Sequence, residues 1–350
     1  MTYRNPKWMI YGANGFTGSL IAYEAKSRCL APVLAGRGDS CRALGRTLGL
    51  ETRIFSCESA RDVAENLQGI DLVLHCAGPF SATSAPMVEA CLKAKVHYLD
   101  ITGEIAVFEA IHSQRAQFRE RGVVAIPGVG FDVVPSDCLA MMLKEKMPDA
   151  TRLSLGFKSS GKMSPGTAKS MIEGLSLGGA VRSDGKIQSV PSAYKVRNIL
   201  FDKKSEPAVT IPWGDVSTAF YSTGIPNIEV YIGTSPSAVF FLKALPYLRK
   251  SLNIPLVQEG LKKLAQKLIK GPSEQERKKA RSILWGEVSN FKNEILEMRL
   301  KVPEGYSLTA DTAVIAVEKV LEGKVSPGAW TPSQAFGSRF ILEIKGVEIL

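Results

Sequence analysis

The chain is poor in the residues from which most metal and hydrolytic sites are built. Its 350 residues include only three histidines, His75, His97 and His112. None stands in a Ser or Cys pattern that suggests a nucleophile and its base, so hydrolytic triads are disfavoured. No HExxH run or paired-carboxylate pattern occurs, and the six cysteines include no CxxC pair. The expectation is therefore no catalytic metal. Cys29, Cys41, Cys57, Cys76, Cys91 and Cys138 read instead as small buried hydrophobes of a reduced compartment. The first residues lack the apolar run of a secretory leader, so the expected location is cytoplasmic. No stretch of about eighteen residues is purely apolar, which argues against a spanning helix but allows an interfacial one. The nearest stretch, 237–256, is broken by Lys243, Pro246, Arg249 and Lys250. No helix-turn-helix, RRM or zinc-finger pattern points to nucleic acid.

What is present is an ordinary globular balance, 45% apolar and 22% charged. That excludes a disordered chain or a small disulfide scaffold, and the length predicts two domains, with three as the alternative. The net charge of +10 favours an anionic partner: a phosphate-bearing cofactor, nucleic acid or an acidic membrane surface.

Short apolar runs alternate with helical periodicity through the first 130 residues. Strand-like runs fall at 8–11, 32–35, 52–55, 70–76, 96–100 and 123–126. Helical patterns fall at 16–28, 41–48, 60–67, 85–93 and 105–121. Such βαβ repetition predicts an α/β fold, a Rossmann doubly wound parallel sheet over 1–130. The pattern then changes. A helix at 135–146 and strands at 152–157, 228–232 and 294–302 predict an α+β domain over 131–306 with a largely antiparallel sheet. Amphipathic stretches at 239–252 and 256–269 lie within it. Residues 307–350, with a helix at 308–321, are expected to return and pack on the first domain.

The strongest motif is 8–18, WMIYGANGFTG. A strand ends at Gly12-Ala13-Asn14-Gly15-Phe16-Thr17-Gly18, and a helix opens there. Gly12 permits the turn, Gly15 lets backbone approach a diphosphate, and Gly18 lets the helix pack near the sheet. The helix N-terminus then faces the phosphates. The second strand ends in Gly36-Arg37. An NAD site would normally carry Asp or Glu there, whereas arginine offers a fork of donors for a 2′-phosphate. NADP(H) is the expected cofactor. At the fourth strand end, Cys76-Ala77-Gly78-Pro79 leaves room for the nicotinamide side, although Gly78-Pro79 also reads as a turn.

At this point the chain resembles the saccharopine dehydrogenase-like oxidoreductase family, trans-acting enoyl reductases included. The resemblance rests on 11–19 (YGANGFTGS), 34–38 (LAGRG), 71–81 (DLVLHCAGPFS), 86–92 (PMVEACL), 98–105 (YLDITGEI), 128–138 (GVGFDVVPSDC), 166–172 (GTAKSMI) and 329–338 (AWTPSQAFGS). Residues 184–292 match poorly. The resemblance implies a Rossmann domain, a substrate and oligomerisation domain, and oxidoreductase chemistry with a nicotinamide cofactor. It does not imply saccharopine as substrate.

Hydride transfer usually needs one proton donor or acceptor beside the substrate. The candidates are Asp100 and Glu104 after the fifth strand, and Asp132 in the segment joining the domains, where an interdomain cleft is expected. Asp100 also suits hydrogen bonding to loop amides, Glu104 suits stabilisation of a helix first turn, and Ser136 suits an N-cap. Should the substrate be a small amino acid, Arg152 or Arg182 could take its carboxylate.

Residues 262–281 carry a balance of +6, downstream of the apolar run 239–248. Together they fit either an anionic membrane surface or a solvated face with a core or dimer contact. The resulting expectation is an NADP(H)-dependent oxidoreductase acting on a small hydrophobic, lipid-like enoyl or keto compound, a homodimer, with peripheral membrane contact allowed. The competing expectation is a non-catalytic NADP-binding or membrane-associated protein.

Overall fold

A computed structural model describes residues 6–175, 178–243 and 254–350. The chain divides into two compact units, Met1–Val134 with Tyr306–Phe336, and Pro135–Gly305 with Gly337–Leu350.

The first unit is the expected α/β layer structure. Its elements are β1 (Trp8–Tyr11), α1 (Phe16–Ser27), β2 (Val33–Gly36), α2 (Asp39–Leu48), β3 (Thr52–Ile54), α3 (Ala60–Asn66), β4 (Leu72–His75), α4 (Phe80–Ala94), β5 (His97–Asp100), α5 (Ile105–Ser113), α6 (Arg115–Arg121) and β6 (Val124–Ile126). The sheet runs in the order β6-β5-β4-β1-β2-β3, and the short strand Gly328–Ala329 extends it beside β6. Every pairing is parallel. This is the doubly wound arrangement, with all strand carboxyl ends on one edge.

Strand alternation explains why both faces are apolar. Met9 and Tyr11 point to a core closed by Val63, Met87, Cys91, Ile111 and Phe118. Trp8 and Ile10 point to the opposite core, closed by Ala22, Ala25, Val314 and Val317. The helix Gly305–Leu321 thus covers the same face as α1. Arg28 ties them, bonding Glu24 at 2.6 Å and Asp311 at 2.9 Å.

Most boundaries in this unit shift by one or two residues, and two helices differ by more. The helix expected at 105–121 is two helices, because Gln114 (φ −95°, ψ 13°) departs from helical geometry between them. The helix expected from 85 begins at Phe80.

The second unit opens with α7 (Val134–Lys146), followed by β7 (Arg152–Ser159), α8 (Pro165–Leu175), β8 (Gly179–Ser183), β9 (Lys186–Val190), β10 (Val196–Leu200), β11 (Ser205–Thr210), α9 (Asp215–Thr223) and β12 (Asn227–Gly233). Helical residues 236–243 form α10; α11 (Pro255–Leu268), α12 (Glu274–Lys279), β13 (Arg281–Ser289) and β14 (Ile295–Pro303) complete it. The sheet order is β10-β11-β12-β7-β13-β14, ending on Glu348–Ile349. All pairings along it are antiparallel except β12 with β7. Gly286 lets α7 approach: a Cβ there would stand 2.6 Å from Leu143 Cδ1. The sheet curls strongly. Arg197 on β10 reaches Glu287 on β13 with paired bonds of 3.0 and 2.9 Å.

The return expected over 307–350 divides. Tyr306–Phe336 belongs with the first unit, but Gly337–Leu350 belongs with the second. The cause is a backbone pairing, Leu300 with Ile349 and Lys301 with Glu348. Part of the amphipathic stretch expected at 239–252, residues 244–253, lies outside the described residues.

Candidate functional site

The loop after β1 is shaped by contacts only glycine tolerates. Gly12 sits at φ +84°, and a Cβ on it would stand 2.8 Å from the Ala77 nitrogen. A Cβ on Gly18 would stand 2.3 Å from the Gly12 carbonyl oxygen. Gly15 caps α1 with backbone alone, no side chain bonding the helix end. The Gly12 and Ala13 amides are turned to the Ala35 carbonyl at 2.7 and 3.1 Å, fixing the loop against β2. Phe16 meets Tyr306 edge to face at 5.0 Å.

The β2 end joins this loop. Asn14 Nδ2 donates to Ser40 Oγ at 2.9 Å, and a Cβ on Gly36 would stand 2.7 Å from Asn14 Oδ1. Arg37 is exposed and has no hydrogen bond or ion pair among the described residues. Ser40 was not singled out from the sequence. Its signal is a small hydroxyl opening the helix directly after Gly36-Arg37-Gly38.

On the other side of β1, the β4 end carries Cys76, Ala77, Gly78 and Pro79. Cys76 donates its amide to the Tyr11 carbonyl at 2.7 Å. Behind the loop, Thr83 Oγ1 lies 2.7 Å from the Ala77 carbonyl and 2.9 Å from His75 Nε2. With that hydroxyl hydrogen given to Ala77, His75 donates from Nε2. His75 is fully buried among Tyr11, Phe80 and Tyr98, and burial pulls its pKa down to about 3. It is a neutral packing histidine that steadies the loop.

The three carboxylates come to the same edge in different settings. Asp100 is fully buried. It accepts from Tyr98 Oη at 2.7 Å, the Thr102 amide at 3.0 Å and the Gly128 amide at 2.8 Å. Burial, partly offset by those bonds, raises its pKa to about 6. Glu104 accepts from the Phe80 amide at 2.8 Å and the Ser81 amide at 2.7 Å. It therefore caps α4 from across the loop, which explains why that helix starts before the sequence suggests. Asp132 is half-buried in the turn before α7, and burial raises its pKa to about 6. Its Oδ2 lies 2.7 Å from where a Gly103 Cβ would be. The β5 and β6 loops thus bring Asp100 and Asp132 close in the fold, and Glu104 links them to the β4 loop.

Two further expectations change. Ser136 lies inside the first turn of α7 rather than at its cap, since the helix starts at Val134. Arg182 is buried, donates to the Val216 and Gly185 carbonyls and stacks on Phe220 at 4.3 Å. It is a structural arginine of the second unit.

An open parallel sheet with a glycine cradle at its carboxyl edge defines a dinucleotide-binding unit. More particularly, residues 8–126 match the family described as Saccharopine dehydrogenase NADP binding domain, which upholds the resemblance read from the sequence. The saccharopine dehydrogenase-like oxidoreductase of Rattus norvegicus is 29% identical over 215 residues, 54% of this chain and 49% of that protein. The trans-acting enoyl reductase of Mycobacterium leprae is 33% identical over 138 residues, 37% of this chain and 33% of that one. The aligned stretches span about half or less of those relatives. Apo saccharopine dehydrogenase (L-Glu forming) of Saccharomyces cerevisiae shares the fold, with a TM-score of 0.68 at 12% identity, over 99% of this chain and 100% of that one. The cradle fits the expected group. Gly12, Gly15 and Gly18 let a tight backbone turn meet a helix N-terminus, and Arg37 stands exposed at the end of the neighbouring strand β2.

Proposed function

We propose that this chain is an NADP(H)-dependent oxidoreductase. The observation that carries the proposal is the end of β2, where exposed Arg37 follows Gly36 in place of an acid. Gly12, Ala13, Asn14, Gly15, Phe16, Thr17 and Gly18 frame the diphosphate. The Gly12, Ala13 and Gly15 amides bond carbonyls of the protein itself, and the Asn14 and Thr17 amides at the helix start are the donors toward it. Gly36, Arg37 and Ser40 take the 2′-phosphate. Cys76, Ala77, Gly78 and Pro79 bound the nicotinamide end. The bound nicotinamide supplies the hydride. Asp132 is the group that holds and delivers the proton, because burial lifts its carboxyl pKa to about 6 and it is partly open. Glu104 and Asp100 position the loops around it.

The substrate class is a hydrophobic enoyl or keto compound. The support is the named activity of the mycobacterial relatives, which are enoyl reductases. The test is a panel of such compounds incubated with NADPH, followed by loss of reduced-nicotinamide absorbance. Turnover of at least one unsaturated or carbonyl substrate is expected. Tight NADPH binding with no turnover across the panel would replace this reading with a non-catalytic NADP-binding protein.

A further inference from the structure

The second unit carries a surface that the cofactor chemistry does not use. Helix α11 exposes Val257, Leu264 and Leu268, the last 69% open to solvent. Positions spaced seven and four apart lie on one stripe of a helix. Lys263 and Lys267, both exposed, stand roughly 100° around the helix from that stripe. Helix α10 also exposes apolar side chains, Phe240 at 80% and Phe241 at 59%, with exposed Lys243 two residues on. Helix α8 packs against α11 and exposes Met171. Among the described residues Lys243, Lys263, Lys267 and Lys270 form no ion pair.

Singly scattered exposed apolar residues need no explanation, but an exposed aromatic pair and a helical leucine stripe are more than scatter. Two occupants could cover them. A second copy of this chain would bring its own +10 charge against the unpaired lysines. An anionic bilayer complements both halves: apolar side chains enter the headgroup boundary while lysines meet the headgroups.

We infer that α11, with Phe240 and Phe241, docks the protein peripherally on an anionic lipid bilayer. This holds whether or not the first unit reduces a lipid, so its failure would leave the oxidoreductase reading untouched.

The test is sedimentation of the full chain with vesicles of phosphatidylcholine alone or with one-third phosphatidylserine. Binding is expected to the anionic vesicles only and to weaken at high salt. A basic residue near such a surface contributes about fivefold in partitioning. Lys263→Glu with Lys267→Glu should therefore lower binding at least tenfold, as should Phe240→Ser with Phe241→Ser. Lys278→Glu with Lys279→Glu changes net charge equally on α12 and should leave most of the binding. An unchanged far-ultraviolet circular dichroism spectrum and unfolding midpoint show that each variant is folded. No binding to anionic vesicles overturns the inference. So does equal loss in the α12 variant, which would mean general charge attraction. A dimer that the Phe240 and Phe241 changes break, without vesicle binding, assigns the surface to a second copy and also overturns it.

Discussion

The carbonyl oxygen of Gly12 stands 2.3 Å from where a Gly18 side chain would begin. No methyl fits there, and the obstacle is backbone rather than a side chain that could turn away. Gly18→Ala must push α1 from the loop. The expected cost is about 1–3 kcal/mol of stability. NADPH affinity should fall at least tenfold, because the displaced helix end no longer faces the diphosphate. Denaturant unfolding and fluorescence titration measure the two effects.

Glu104 is expected to behave as a positioning residue. Removing its carboxylate leaves the Phe80 and Ser81 amides without their acceptor, a loss of about 1–3 kcal/mol. Glu104→Ala should raise the KM for NADPH severalfold and leave the shape of the pH–rate profile intact. A proton-carrying role would instead abolish one limb of that profile, and steady-state kinetics over pH distinguishes the two outcomes.

The buried Asp100 makes stability depend on pH. Its pKa is lifted to about 6 by burial, above the usual carboxylate value of about 3.9. Between these values the folded protein binds more protons than the unfolded chain, so stability falls as pH rises through that window. The Asp100 share is on the order of 3 kcal/mol, present in full below the window and lost above it. Asp100→Asn should flatten this part of the curve, as urea unfolding at pH 4 and pH 7 would show.

Asp132 has a pKa raised in the same direction, to about 6. In the reducing direction the rate should fall about tenfold per pH unit above that value, because the proton is then absent. Asp132→Asn should lower kcat by about 10²–10⁴ and remove this limb, while NADPH affinity stays unchanged.

Much of the first unit was legible because each strand is a continuous apolar run between helical patterns. The run expected at 8–11 is β1 residue for residue, and 16–28 overshoots α1 by one. The start of α4 was hidden because the acceptor that caps it, Glu104, lies 24 residues away in sequence. Such a tertiary cap leaves no local signal. The second unit was read less completely. Strand β13 begins at Arg281, directly after a basic run, and was absorbed into the charged stretch. The β8–β9 hairpin did carry a local signal. Asp184 and Gly185 both take positive φ, 48° and 76°, the backbone of an Asp-Gly hairpin turn. At the site, the glycine loop and Arg37 were visible as a pattern. The separate environments of Asp100, Glu104 and Asp132 were not, since burial and partners come from distant segments.

The account turns on Arg37 choosing the phosphorylated dinucleotide. Titration calorimetry of the full chain with NADPH and NADH, repeated on Arg37→Ala, tests it most directly. The unmodified protein should bind NADPH more tightly, and Arg37→Ala should lose about 10–100-fold for NADPH with little change for NADH. Equal affinity for both dinucleotides, or no uptake of either by folded protein, would contradict it.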